Sequence, residues 1–128
     1  MSKKTFALAP FVALGLMLAA GNALAQPSNK WRLEFSGAAE SPGEIVLRIQ
    51  PVGGEPVDVT TVIEGNDGEN RVAGKVRAAL KEALKADYRL ERDDGEDVLV
   101  KRRWGRPLFE VSLVSSTVKD VRINFDRE

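Results

Sequence analysis

The chain of 128 residues contains no cysteine and no histidine. The first absence removes any disulfide framework, thiol nucleophile, thiolate zinc site or lipid-modified N-terminal cysteine. The second removes Ser-His-Asp and Cys-His catalysis, imidazole metal ligation and a histidine-based pH switch. An excess of either charge sign is also missing, with 19 Lys and Arg against 19 Asp and Glu. That balance argues against a strongly basic nucleic-acid binder, so nucleic acid is not the expected partner. The length suits one domain, on a scale of about 100–200 residues per domain.

What is present begins with an export pattern. Lys3 and Lys4 form a positive start, Phe6 to Ala20 is an apolar stretch, and Ala23-Leu24-Ala25 is an A-x-A cleavage site. Together they predict a cleavable signal peptide over residues 1–25, cut after Ala25. The apolar stretch is short for the roughly 20 residues of a spanning helix, so no transmembrane segment is expected after processing. The flanks have a bacterial character, and a periplasmic or secreted location follows. Residues 1–25 hold two Lys and no acid, which leaves 17 cations and 19 acids, a net charge of −2, on residues 26–128. An exported domain without cysteine must be stabilised by its core, which a chain of about a hundred residues can build.

Residues 26–30 read as a short polar leader, and residues 31–128 as a single α+β domain. Trp31-Arg32-Leu33-Glu34-Phe35 alternates apolar and polar, as does Glu44 to Gln50. Residues 57–63 follow the same pattern after the Pro51–Pro56 turn. A 3.6-residue period in Val72, Val76, Ala79, Leu80, Ala83 and Leu84 predicts an amphipathic helix ending near Ala86-Asp87. Asn66 or Asp67 is its expected N-cap, Asn66 forming a capping-box variant with Glu69. Four more strands follow, centred on Tyr88–Glu91, Val98–Arg103, Phe109–Leu113 and Val121–Phe125. Asp94-Gly95 is the turn of a hairpin.

The order βββαββββ predicts a mainly antiparallel sheet with one helix on one face. One helix does not cover seven strands spaced about 4.8 Å apart in a flat sheet. The sheet must curl, its outer strands must pack elsewhere, or a second chain must cover the rest.

Pro42 to Leu113 resembles a small β-β-α-β-β module found in phage tail and baseplate proteins and in some exported bacterial proteins. The resembling residues are Gly43 to Leu47, Val57 to Val59, Gly65 to Asp67, Arg71 to Leu80, Asp87 to Leu90 and Asp97 to Val100. The resemblance implies a structural or binding module with no catalytic residues to carry over, although tail proteins do not normally carry an export signal. Val72 to Phe125 also resembles a periplasmic PepSY-type domain through its helix-strand-strand-strand order and Leu108-Phe109-Glu110-Val111. The three preceding strands depart from that pattern.

Two basic constellations are the candidate binding residues. Arg71, Lys75, Arg77, Lys81 and Lys85 fall opposite the apolar stripe of the helix, forming either a docking face for an anionic partner or a solvated face. Lys101, Arg102, Arg103, Trp104 and Arg106 put four cations around one indole. They form either an anion-clamping ribbon or a hairpin whose cations pair with Asp93, Asp94, Glu96 and Asp97. Trp31 continues the Leu33 and Phe35 face and is expected in the core. Trp104, beside a turn, is expected to be an exposed contact.

Asp93-Asp94-Gly95-Glu96-Asp97 lacks the spacing of a calcium loop and reads as turn chemistry, so no metal or cofactor is expected. No serine or carboxylate lies in a recognisable catalytic motif. The functional expectation is therefore a non-enzymatic module binding a protein or an anionic envelope component. The alternatives are a structural subunit or homo-oligomer, and a carboxylate-dependent hydrolase.

Overall fold

A computed structural model describes residues 26–128. The signal-peptide expectation falls on residues 1–25 and lies outside the described residues. Seven strands and one helix form in the expected order: β1 (Lys30–Ser36), β2 (Gly43–Pro51), β3 (Val57–Ile63), α1 (Glu69–Leu84), β4 (Tyr88–Asp93), β5 (Asp97–Arg102), β6 (Phe109–Ser116) and β7 (Arg122–Arg127). The protein is α+β, and every strand pair is antiparallel.

The strands divide into two sheets of order β4-β5-β1-β7 and β3-β2-β6. This resolves the shortage of helix noted above. The inner faces of the two sheets share one core, and α1 packs against β3 of one sheet and β4, β5 and β1 of the other. A second chain is therefore not needed to cover the sheet. The alternation read from the sequence selects the inner residues. Trp31, Leu33 and Phe35 face Val98 and Val100 in one sheet, and Ile45, Leu47 and Ile49 line the other.

The helix stripe is displaced slightly from the expected one. Val72, Ala73, Val76, Leu80 and Leu84 are buried, while Ala83 is exposed. The helix stops at Leu84 and is followed by a 3-10 turn over Lys85–Asp87. Lys85 adopts a left-handed φ of 50° there, and its N–H bonds to the Lys81 carbonyl.

The capping expectation is corrected. Gly68 is the N-cap, and no side chain caps the helix. Asn66 takes a left-handed φ of 72°, unsuited to capping. Asp67 is buried and turned elsewhere: its carboxylate accepts from the Glu64 N–H at 3.0 Å and from Lys75 Nζ at 2.6 Å. Backbone bonds from the Ala39 N–H to the Asp67 carbonyl and from the Asn66 N–H to the Ala39 carbonyl fasten the same loop to the β1–β2 connection. The Lys75 ammonium holds the Asp67 carboxyl below its ordinary value, helped by the Glu64 N–H.

At the Asp94-Gly95 turn both residues take positive φ (54° and 80°), the backbone a tight hairpin requires there. Gly37 is needed for a different reason. Its φ is +87°, and a Cβ at that position would lie 2.0 Å from the Asp120 carbonyl oxygen, closing off every other residue.

Candidate functional site

The connections collect at two ends of the sandwich. One end holds the leader, the α1–β4 turn, the β2–β3 hairpin and the β5–β6 loop. Backbone bonds tie these together: Ser28 pairs with Phe109, the Arg102 N–H donates to Asn29, the Arg103 N–H to Asp87, and the Val52 N–H to Leu108. Residues 26–30 are thus partly built into the fold, with Ser28 buried. The opposite end holds the β1–β2, β3–α1, β4–β5 and β6–β7 connections.

Strand register then sorts charge along the outer face of the four-stranded sheet. Arg89 and Lys30 both stand directly opposite Lys101, forming a row of three cations across β4, β5 and β1. The next row is Glu91, Leu99 and Arg32, and the third is Asp93, Asp97 and Glu34. Like charges opposed across strands destabilise a sheet. Here they are only partly relieved: Glu91 lies 3.0 Å from Lys101 and 3.8 Å from Arg89, and Glu128 lies 3.4 Å from Lys30. Lys101 holds the Glu91 carboxyl below its ordinary value.

Two acids of that row, Asp93 and Asp97, share one cationic partner, while Glu34 accepts from Asn124. Arg32 donates to Asp93 at 3.0 Å, to Asp97 at 2.8 Å and to Glu128 at 2.7 Å, with Asp97 itself buried. These three carboxylates raise the guanidinium well above its usual value, Glu128 contributing most. Asp93, Asp94 and Asp97 bring their oxygens within 4.8 Å of one another, a spacing compatible with a cation. The Arg32 guanidinium places a positive charge against Asp93 and Asp97 of this cluster.

The Lys101–Arg106 ribbon continues the basic row. Trp104 is 98% exposed at the tip of the β5–β6 loop, whereas Trp31 is buried and donates through Nε1 to the Phe109 carbonyl at 2.8 Å. The expected pairing of the ribbon with Asp93, Asp94, Glu96 and Asp97 does not form, because those acids lie at the far end of the hairpin. Lys101 is paired with Glu91, and Arg106 with Asp87 at 3.1 Å. Among the described residues Arg102 and Arg103 enter no ion pair. A cleft of about 340 Å³ is lined by Asn29, Lys30, Lys101, Arg102 and Trp104.

The five helix cations are dispersed by comparison. Lys75 is committed to Asp67 and Glu64, Arg71 lies 3.8 Å from Asp67, Arg77 donates to the Leu90 carbonyl, and Lys85 bonds to Glu82. Lys81 is exposed and enters no ion pair among the described residues. Arg77, Lys81, Glu82 and Lys85 line a shallow surface of about 660 Å³. A third cleft, of about 570 Å³ beside the helix start, is lined by Asn66, Gly68, Glu69, Asn70, Arg71 and Arg92. None of the three clefts brings two acids together.

The structure thus joins the ribbon to Lys30, Asn29 and Arg89, which sequence reasoning missed. Arg89 was visible only as the outward residue of an alternating strand, and Lys30 only as part of a polar leader. No protein-family model matches the chain, and no curated protein matches it in sequence.

Proposed function

We propose that the chain is a small non-enzymatic binding module of the bacterial envelope, exported by residues 1–25, that engages an anionic partner through the Trp104 end. The observation that carries the reading is Trp104 itself, 98% exposed beside Arg102 and Arg103, which enter no ion pair among the described residues, and beside a row of three opposed cations that share two acids, Glu91 and Glu128. A fully solvated indole and like charges set in register are both unfavourable in an isolated protein, and both are relieved by an anionic surface with an apolar component. The resemblance to binding modules of exported proteins supports the same class.

Residues 26–128 carry a net charge of −2. They are nonetheless expected to be retained on a phosphate-bearing cation-exchange resin at low salt and released as salt screens the contact. Arg103→Glu should elute markedly earlier, while Arg71→Glu at the opposite end should elute near the parent. Passage of the parent straight through the column, or equal losses in both variants, refutes the assignment.

A second reading, a homodimer, rests on a separate observation. Strand β6 is an edge strand carrying Glu110 as its sole charge, with Leu113 45% and Val114 44% exposed. An unprotected edge of this length invites pairing with another strand. Sedimentation should then give twice the monomer mass, falling to the monomer on Leu113→Lys. A monomer at high concentration removes this reading.

A further inference from the structure

We infer that the partner is an anionic phospholipid surface, with Trp104 seated at headgroup level; this rests on the binding reading above. The first observation is shape. The apolar side chains at this end project from loops. Trp104 and Leu108 (41% exposed) stand on the β5–β6 loop. Val52 (56% exposed) stands on the neighbouring hairpin, its N–H bonded to the Leu108 carbonyl at 2.9 Å. Projecting tips suit a soft, deformable layer, and indole side chains favour the boundary between headgroups and acyl chains. The cleft under Trp104, lined by Lys30, Lys101 and Arg102, is placed to take a lipid phosphate.

The second observation is charge separation. Lys30, Arg89, Lys101, Arg102, Arg103 and Arg106 collect at the Trp104 end, where Glu128, Glu91 and Asp87 pair with four of them and leave Arg102 and Arg103 without an ion pair among the described residues. Glu40, Glu64, Glu69, Asp94 and Glu96 lie toward the other end with Arg71 and Lys75. Strands of six to nine residues hold these ends about 20–30 Å apart. The Debye length is about 8 Å at physiological ionic strength, so a charged surface touching one end barely senses the other. The small net negative charge therefore does not oppose docking, and the separation fixes which end faces the surface.

The third observation is where the chain enters. Gln26–Lys30 join the fold at this same end, through the Ser28–Phe109 pair and the Arg102–Asn29 bond. Only residues 21–25 separate Gln26 from the apolar stretch ending at Ala20. That is a reach of about 20 Å at about 3.5 Å per residue. Before the proposed cut after Ala25, a bilayer that holds that stretch has the Trp104 end within that reach.

Co-sedimentation of residues 26–128 with vesicles tests the inference, comparing phosphatidylcholine alone with a mixture containing phosphatidylglycerol. Binding is expected to the mixture, weakening as salt is raised, with little to phosphatidylcholine alone. Arg103→Glu and Trp104→Ala alter solvent-exposed residues and should fold as the parent, checked by circular dichroism. Arg103→Glu should weaken vesicle affinity by about 25-fold, since a single charge near such a surface contributes about a fivefold factor and reversal counts twice, and Trp104→Ala should weaken it through loss of the interfacial indole. Brominated lipid should quench the exposed Trp104 and leave the buried Trp31 emission. Retention on the phosphate resin without vesicle binding overturns the lipid assignment alone. Loss of both overturns the binding reading as well. Equal binding to neutral and anionic vesicles, or binding unaffected by both substitutions, also overturns the lipid assignment.

Discussion

Phe109→Ala should lower the unfolding free energy by about 3–5 kcal/mol, the range for truncating a fully buried aromatic residue. Phe109 has no exposed surface and lies at the seam between the two sheets. Its ring meets Tyr88 edge-on, with centroids 4.9 Å apart and planes at 75°, an arrangement that adds to simple burial. Its backbone pairs with Ser28, and its carbonyl receives the Trp31 indole N–H. A cavity here therefore loosens the leader, β1 and β4 together. Urea titration followed by circular dichroism measures the loss, and the slope with urea should stay near the parent value. A loss under about 1 kcal/mol shows that the site collapses freely, contrary to the packing described. Because Tyr88 sits beside the β5–β6 loop, the same substitution tests whether the basic end is held by the core.

Arg32→Met should be the next most damaging change, at about 3 kcal/mol. Its methylenes are retained, so the loss measures the charge. Removing one member of a buried ionic cluster strands its partners, which costs about 3–5 kcal/mol for full burial. Asp97 is buried but Asp93 and Glu128 are partly solvated, so the lower end applies. Neutralising the stranded acid, as in Arg32→Met with Asp97→Asn, should recover part of the loss.

The pH dependence supplies a second measurement. Arg32, followed by burial acting in the opposite sense and then Lys30, holds the Glu128 carboxyl below its ordinary value of 4.5. A depressed carboxyl contributes stability that is present above the unfolded value and lost as pH falls through the folded one. The parent should therefore lose stability on acidification below pH 4.5, and Arg32→Met should lose less over the same window. Parallel pH profiles for the two proteins contradict the assigned role.

Much of this architecture is local and therefore legible. The helix is written in a 3.6-residue apolar period, and β1 to β3 in strict alternation, because each pattern expresses one element burying one face. The fates of the two tryptophans were legible for the same reason: Trp31 continues an inward alternation, and Trp104 follows the end of one. The capping geometry misled, because Asp67 was drawn into a contact with Lys75 eight residues later, which outweighs a local cap.

The sequence by itself determined the element types, their order, the absence of thiol and imidazole chemistry, and the near-neutral overall charge. Only the tertiary structure decided that seven strands form two sheets. It also decided that Lys30 and Arg89 flank Lys101, and that Arg71, Lys75 and Lys85 meet carboxylates while Lys81, Arg102 and Arg103 enter no ion pair among the described residues. The reason is that register and sheet partners are fixed by which side chains bury together, between residues as far apart in the chain as Trp31 and Arg127, and alternation within a strand carries no record of its neighbour.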